Sequence, residues 1–124
     1  MTAYYLAARF SRRYELQGYR ADLSRLGHIV TSRWIDQRGD ADAPDCAARD
    51  IQDLDAADAV ILFAEPPRCP TRNGRMVEFG YALGQGKPAI VIGPPENVFT
   101  DLPEVKRFAG WRDALTALAG ELTA

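Results

Sequence analysis

Glu78 is the residue whose surroundings in the sequence most need a chemical explanation. It lies in TRNGRMVEFGYALGQGKP, residues 71–88, where most of its neighbours along a predicted helix are apolar. It is too far inside the helix for a capping-box glutamate, because Asn73 as N-cap would make Met76 the third helical residue. A solvated pair with Arg75, three residues earlier, would explain the carboxylate. So would an ionised carboxylate that faces a binding crevice near the positive end of the helix, and this segment alone leaves both interpretations open.

A second candidate carboxylate, Asp50, lies one predicted helix earlier, in CAARDIQDLDAAD, residues 46–58. The apolar residues that mark the buried side of this helix are Ala47, Ile51 and Leu54. Their spacing puts Asp50 at the border of that side and points Asp53 outward. Asp58 directly precedes a strand and is expected to be a cap or turn residue. A solvated helix face remains the ordinary explanation for any one of these acids.

Two further features suggest binding rather than catalysis. The TRNG turn, residues 71–74, joins an arginine and a glycine at a helix N-terminus, which can hold an anion. It matches neither G-x-x-x-x-G-K-[ST] nor G-x-G-x-x-G, so ATP-dependent chemistry and Rossmann dinucleotide binding lose support. Tyr5, Phe10 and Trp34 lie near predicted strand ends, where an aromatic ring either stacks on a base or belongs to the core.

Alternating strand and helix patterns must position these residues. The expected strands cover residues 3–8, 28–34, 58–65 and 87–93, with a short fifth strand around Phe108. The expected helices cover residues 11–27, 46–57, about 75–86 and 111–122, the first with Ser11 as N-cap and Gly27 as its end. This order predicts an α/β fold: a single domain with an open, mostly parallel sheet of four or five strands and helices on both faces, Rossmann-like or flavodoxin-like.

Ligands of such sheets bind at the carboxyl ends of the strands. The loops expected there are 7–11, 33–37, 65–74 and 93–97. Three of these four loops contain arginine. We therefore expect a basic mouth to the sheet, although the whole chain is acidic.

Composition excludes several classes of function. With 124 residues, 47% hydrophobic residues, 26% charged residues and a net charge of -2, the chain has the composition of a soluble globular protein. The acidic balance argues against a nucleic-acid polymer or a membrane surface as partner. Cys46, Cys69 and His28 are isolated, which indicates neither a metal site nor a disulfide framework. No leader and no membrane-spanning run is evident, so the expected location is the cytoplasm.

Three segments together resemble a known family. YYLAARFS, RDIQDLDAADAVILFAE and NGRMVEFGYALGQGKP follow one another in the order found in the nucleoside 2-deoxyribosyltransferase superfamily, which includes 2'-deoxynucleoside 5'-monophosphate N-glycosidases. The resemblance extends over most of residues 4–92. It rests on an Asp in the helix before an apolar strand, then a loop, G-x-x-x-E-x-G-x-A and KP.

The resemblance implies roles for individual residues. Glu78 corresponds to the nucleophile, Asp50 to the acid that assists at the sugar and the leaving base, and Tyr5 to the residue that holds the nucleophile. The loop before the nucleophile helix would receive the 5' side of the substrate, through Arg72, Asn73, Gly74 and Arg75. The other candidates for substrate contact follow the first two strands: Ala7, Arg9, Phe10 and Trp34. Relatives usually have a small residue after the first strand, where this chain has Ala8 and then Arg9. The monophosphate hydrolases of the family typically have a serine in the loop 66–72, where this chain has two arginines, and the need for a 5'-phosphate is therefore open.

The implied activity is cleavage or transfer at an N-glycosidic bond, with a nucleoside or nucleotide as the small-molecule partner. Such chemistry needs no metal or organic cofactor. The resemblance also implies a homodimer or larger homo-oligomer. Two other functions remain open at this point: a non-catalytic nucleotide sensor of the same fold, and an NAD glycohydrolase.

Overall fold

The computed structural model describes residues 1–38, 44–70 and 72–123, with side chains described as far as Gly120. Within these residues the strands are β1 (Ala3–Ala7), β2 (Ile29–Val30), β3 (Ala59–Phe63), β4 (Ala89–Ile92) and β5 (Lys106–Phe108). The α-helices are α1 (Arg13–Arg25), α2 (Pro44–Ala56), α3 (Gly74–Gly84) and α4 (Trp111–Thr123). Short 3₁₀ helices occur at Phe10–Arg12, Arg33–Asp36 and Val98–Asp101.

The strands form one parallel sheet in the order β2-β1-β3-β4-β5. Helices α1 and α4 contact each other on one face, and α2 and α3 contact each other on the other. The predicted fold class is therefore confirmed, including the short fifth strand. In this order the chain leaves β1 and β3 in opposite directions, which opens a crevice between their carboxyl ends.

The two central strands are buried along their whole length, as their continuous apolar sequences require. β1 reads AYYLA and β3 reads AVILF, and each residue of both strands is buried. Tyr5 is the largest fully buried side chain of β1. Its ring is apolar but its hydroxyl needs a partner, and this requirement gives the core a polar end beneath the crevice.

The second strand is shorter than predicted, because side chains replace most of its backbone pairing. The expected strand 28–34 pairs with β1 only at Ile29–Val30. Beyond it, the Ser32 hydroxyl accepts a hydrogen bond from the Leu6 amide at 2.6 Å, and the Trp34 indole donates to the Leu6 carbonyl at 2.8 Å. These bonds satisfy the edge of β1 and allow the chain to turn into the 3₁₀ helix Arg33–Asp36.

Three predictions about the helices were wrong. Ser11 is not the N-cap of α1, because it lies inside the 3₁₀ helix Phe10–Arg12, and α1 begins at Arg13 without a side-chain cap. Asp53 does not point outward: it is 6% exposed and accepts hydrogen bonds from the backbone N–H of Arg33 at 3.0 Å and from its Nε at 2.9 Å. A carboxylate can be buried in this way when it is paired. Ala47, which was predicted to lie on the buried side of α2, is exposed.

Other local predictions were correct. Gly27 ends the α1 region with a φ of 85°, and the Asp58 carboxylate accepts from the backbone N–H of Ala3 at 2.9 Å, as expected for a turn residue. Residues 39–43, which precede α2, lie outside the described part of the chain, as does Thr71 of the TRNG turn.

We expect Gly93→Ala to lower the free energy of unfolding by about 1–3 kcal/mol. Gly93 follows β4 with a φ of 122°, and an added Cβ would lie 3.1 Å from the carbonyl oxygen of Ala64. Urea unfolding measures the change. Gly18→Ala is the matched control, since a Cβ on this α1 residue would meet nothing within 4 Å, and it should stabilise the protein by about 0.5–1 kcal/mol. Equal stability of the two variants would contradict this explanation.

Candidate active site

A cavity of about 700 Å³ opens at the carboxyl ends of the strands, in the crevice that the strand order creates. It is bounded by the segment after β1, the segment after β2, one residue of α2, and the loop and first turns of α3. Its lining residues are Ala8, Arg9, Phe10, Ser11, Trp34, Gln37, Asp50, Pro70, Arg72, Gly74, Arg75 and Glu78. Both candidate carboxylates, Glu78 and Asp50, therefore face the same space.

Tyr5 lies directly beneath Glu78. Its ring is 0% exposed, and its hydroxyl donates to Glu78 Oε2 at 2.6 Å. Burial raises the pKa of the Tyr5 phenol far above its ordinary value, and the negative charges of Glu78 and Asp50 raise it further. The phenol therefore stays protonated and remains a fixed donor to one oxygen of Glu78.

Glu78 and Asp50 form a hydrogen-bonded carboxyl pair. Burial raises the pKa of Glu78 to about 8; the hydrogen bond from Tyr5 opposes this shift, and the charge of Asp50 adds to it. Burial also raises the pKa of Asp50, against the neighbouring guanidinium of Arg49, whose Nη2 lies 3.4 Å from Asp50 Oδ1. Two half-buried carboxyls in contact cannot both ionise easily, so the pair keeps one proton at neutral pH.

The structure excludes the interpretation in which Arg75 and Glu78 form a solvated pair. Arg75 is 2% exposed, and its guanidinium binds both carboxylate oxygens of Glu96, with Nη1 at 2.6 Å from Oε1. Glu96 Oε1 also accepts from the backbone N–H of Glu65 at 2.9 Å. Arg75 therefore pairs with the loop after β4, and the side chain of Glu78, three residues later, lines the cavity instead.

Nothing in the sequence analysis pointed to Glu96. The only available signal was its position in the 93–97 loop, at the same sheet edge as the arginines. Sequence could not show which of several arginines this carboxylate would bind.

Carboxylates lie beside several of the arginines at the expected basic mouth. Glu65 lies 2.9 Å from Arg12 Nη1 and 3.9 Å from Arg9 Nη1, and Arg33 pairs with Asp53. These contacts place an acid beside an arginine on two of the three arginine-containing loops, and the Arg75–Glu96 pair adds a third at the start of α3. Matched charges therefore reduce the positive charge at this sheet edge, where Arg72 also lines the cavity.

Phe10 and Trp34 form an aromatic wall of the cavity. Their ring centroids are 6.4 Å apart at an interplanar angle of 40°, and the Arg13 guanidinium lies 4.4 Å from the centroid of Phe10. Trp34 is held by its bond to the Leu6 carbonyl, so its ring is fixed in the wall. Such a wall offers a flat apolar surface to a planar group.

The remaining predicted binding residues divide into two groups. Arg9, Arg72 and Gly74 line the cavity, whereas Ala7 is 0% exposed in β1 and Asn73 precedes α3 without lining the cavity. Ala7 is the last residue of β1, a strand buried along its whole length, and the next residue, Ala8, lines the cavity.

Sequence reasoning did not identify three other lining residues as binding candidates: Ser11, Gln37 and Pro70. The Gln37 side-chain oxygen accepts hydrogen bonds from Arg49 Nη2 and, at 3.4 Å, from Cys46 Sγ. Gln37 thus connects the segment after β2 to the helix that bears Asp50. Its polarity within a ligand-edge loop was the signal that could have identified it.

The described residues show neither a metal site nor a membrane-spanning helix. No group of three or more His, Cys, Asp or Glu side chains among them could hold a metal ion. None of the helices in that part of the chain is long and apolar enough to cross a membrane.

Comparison with solved structures shows the same fold in several bacterial proteins. The chain is 21% identical to the 2-deoxyribosyltransferase of the psychrotolerant bacterium Bacillus psychrosaccharolyticus, covering 94% of this chain and 95% of that one, with a TM-score of 0.72. A CMP N-glycosidase of Clostridium botulinum is 18% identical over 94% of this chain and 97% of that one, with a TM-score of 0.65. A conserved protein of Enterococcus faecalis V583 is 14% identical over 98% and 99%, with a TM-score of 0.72.

Comparison of sequences identifies the family. No curated protein sequence matches the chain. The family model described as nucleoside 2-deoxyribosyltransferase, however, matches residues 5–102, which include Tyr5, Asp50 and Glu78. The match covers well over half of the 124 residues, and the chain belongs to the nucleoside 2-deoxyribosyltransferase family.

Proposed function

We propose that this protein cleaves or transfers at the N-glycosidic bond of a nucleoside or nucleoside 5'-monophosphate, with Glu78 as the nucleophile. The observation that carries the proposal is the hydrogen-bonded chain from the buried Tyr5 to Glu78 and Asp50, which line the cavity. Family membership supports the reaction class. So do two proteins of the same fold, which are described as a 2-deoxyribosyltransferase and a CMP N-glycosidase.

The first step forms a glycosyl ester on Glu78. One proton shared by the carboxyl pair moves to Asp50, which leaves Glu78 as a carboxylate held by the Tyr5 hydroxyl. A Glu78 oxygen attacks C1', the bond from C1' to the base nitrogen breaks, and its electron pair leaves with the base. The base nitrogen takes the proton from Asp50, so the leaving group departs neutral.

The second step releases Glu78. Either water or a nitrogen of an incoming base attacks C1', and the bond from C1' to Glu78 breaks with its electron pair returning to the carboxylate. The proton of the attacking group passes to Asp50. Water as acceptor makes the protein a hydrolase, and a base makes it a transferase; the residues of the pair act identically in both reactions.

Each carboxyl has an environment suited to its role. A nucleophile must be ionised in the transition state, and the Tyr5 hydrogen bond stabilises that form of Glu78. The acid must hold a proton when the base leaves, and burial raises the pKa of Asp50 towards that form. The contact between the two carboxyls favours the resting proton on Glu78, from which it passes to Asp50 as Glu78 attacks. The Phe10–Trp34 wall offers the base an apolar surface beside this pair. Assembly as a homo-oligomer and location in the cytoplasm remain predictions.

Glu78→Gln should lower base release or base exchange by at least about a thousandfold, because the amide cannot form the glycosyl ester. The measurement is chromatography of a panel of 2'-deoxynucleosides and their 5'-monophosphates incubated with the protein, with mass spectrometry of the trapped adduct. Glu104→Gln, which removes a carboxylate from an exposed residue outside the cavity, is the control and should keep full activity. Full activity of Glu78→Gln would refute the mechanism, and saturable binding without base release by the wild type would indicate a sensor.

The same Glu78→Gln variant should be more stable than the wild type at pH 8, by ~1–2 kcal/mol. The pKa of Glu78 is raised in the folded state, so its ionisation favours unfolding, and stability is lost as pH rises from about 4.5 towards 8. A permanently neutral side chain avoids this loss. Urea unfolding at pH 5 and pH 8 should show a difference that grows with pH, and a constant difference would contradict the assigned cause.

Tyr5→Phe should lower kcat/KM about ten- to hundredfold, the usual effect of losing one hydrogen bond to a charged group. It should also change the pH dependence. The pair loses its last proton near pH 8, so wild-type activity should decline above that value. Removal of a bond that lowers the pKa of Glu78 should move the decline to higher pH.

The matched control for this variant is Tyr81→Phe, on the same helix, whose hydroxyl donates to the exposed carboxylate of Asp55 at 2.8 Å. It should leave both kcat/KM and the pH profile unchanged. If Tyr5→Phe behaves in the same way as Tyr81→Phe, the phenol has no influence on the nucleophile.

A further inference from the structure

Arg49 is an arginine of α2 that contacts the carboxyl pair but has no part in the proposed reaction steps. Its Nη2 lies 3.4 Å from Asp50 Oδ1 and also donates a hydrogen bond to the side-chain oxygen of Gln37. Asp50 and Gln37 both line the cavity. The guanidinium therefore links two lining residues that belong to different elements, α2 and the segment after β2.

The position of this guanidinium is not explained by its hydrogen bonds alone. The Arg49 side chain is 25% exposed, yet its Nε is buried and donates to no partner among the described residues. The large majority of buried side-chain donors have a partner, so an unsatisfied one requires an explanation. Here the side chain reaches both Asp50 and Gln37 through Nη2 and leaves Nε unsatisfied, which indicates that its charge matters at this place.

The contact between Arg49 and Asp50 is electrostatic rather than a tight ion pair. At 3.4 Å it is longer than a charge-assisted hydrogen bond, which usually measures about 2.7–2.9 Å. The Asp50 carboxyl therefore remains able to bond to Glu78 and to face the cavity. A cation at this distance still stabilises the carboxylate form, and it acts to lower the pKa of Asp50 against the effect of burial.

The other groups that face Asp50 do not replace this cation. Asp53, on the same helix, raises the pKa of Asp50, and Arg33 is paired with Asp53. Glu78, on α3, bonds to Asp50 and lowers its pKa without bringing a positive charge. The phenol of β1 stays protonated. The remaining charged residues of the cavity lining are Arg9, Arg72 and Arg75.

The proposed reaction requires one proton on the carboxyl pair. With both carboxyls ionised, no proton is available for the leaving base. With both protonated, Glu78 cannot pass its proton to Asp50 and cannot attack. Activity therefore lies between two titration steps. Loss of the Glu78 proton near pH 8 is the upper step. The lower step is the gain of a second proton by Asp50, which the charge of Arg49 opposes.

We propose that Arg49 is a positioning residue, which ties Asp50 to Gln37 and holds it ionised beside a protonated Glu78, so that the pair carries one proton over a wide range of pH. This proposal rests on the proposed function. It extends that function by naming the residue that sets the acid limit of activity and the carboxyl that carries the resting proton.

The direct test is the titration of Asp50 in the wild type and in Arg49→Gln. It is measured by NMR on protein that is isotope-labelled at the aspartate side-chain carboxyl carbons, with Asp50→Asn to assign the signal. Arg49→Gln removes the charge and keeps a hydrogen-bond donor. The pKa of Asp50 should rise by about one unit, since a nearby opposite charge lowers a carboxyl pKa by about that much or more. An unchanged or lower pKa would overturn the proposal.

The pH dependence of base release gives a second readout. In Arg49→Gln the acid limb of kcat/KM should move to higher pH by about one unit, because Asp50 gains its second-step proton more readily. Arg49→Lys keeps the charge and should restore most of the wild-type limb. An arginine that only supported the fold would lower kcat/KM by one factor at every pH and leave the limb in place, and this result would contradict the assigned role.

Two further variants separate the possible failures. Arg25→Gln makes the same chemical change on α1, where the exposed arginine pairs with Asp22 at 2.8 Å, and both readouts should match the wild type. If Arg49→Gln does not fold, Arg49→Met gives the same comparison, because it removes the charge and keeps an unbranched stem. A shifted Asp50 titration in a protein that releases no base would refute the proposed function alone. An unshifted titration in an active enzyme would refute the role of Arg49 alone.

Discussion

The contact between the half-buried carboxyls of Glu78 and Asp50, above the Tyr5 hydroxyl, is the constraint around which this fold is organised. A carboxylate taken out of water loses several kcal/mol of hydration unless other groups replace it. Here the replacement comes from a phenol in the central strand and a second carboxyl on a different helix. The three residues lie far apart in sequence, so only the assembled sheet and its two helices on this face can bring them together.

The topology explains why this contact forms at the sheet edge. β1 and β3 are central, parallel and fully buried, and the chain leaves them in opposite directions. Tyr5 can therefore be entirely in the core while its hydroxyl reaches the base of the crevice. α3 begins at the same edge, which puts Glu78 above the phenol while the helix beyond it, through Phe79 and Ala82, packs into the core. Because α3 begins at this edge, the helix can bury one face in the core and still present the Glu78 carboxyl to the cavity.

Sequence patterns predicted those parts of the structure that depend on local periodicity. The apolar runs of β3 and β4 and the glycine at the end of the α1 region follow from the properties of single segments. The length of the second strand could not be predicted in this way. It is set by hydrogen bonds from Ser32 and Trp34 to the Leu6 backbone, which are contacts between separate segments. Asp53 was misplaced for the same reason: its burial depends on Arg33, twenty residues earlier, which periodicity within α2 cannot reveal. Glu78 and Asp50 could be proposed only through the family resemblance, because each alone is compatible with a solvated helix face.

Charge matching at the crevice resolves the contrast between an arginine-rich edge and an acidic chain. Arginines commonly suggest anion binding, yet Arg12, Arg33 and Arg75 each form an ion pair with a carboxylate from another element. An arginine committed in this way orders the loops around a cavity without making the cavity positive. One guanidinium does lie beside the Glu78–Asp50 pair: Arg49 Nη2 is 3.4 Å from Asp50 Oδ1 and acts to lower the pKa of Asp50. Burial outweighs this effect, so the carboxyl pair still holds one proton at neutral pH although arginines surround the same edge of the sheet.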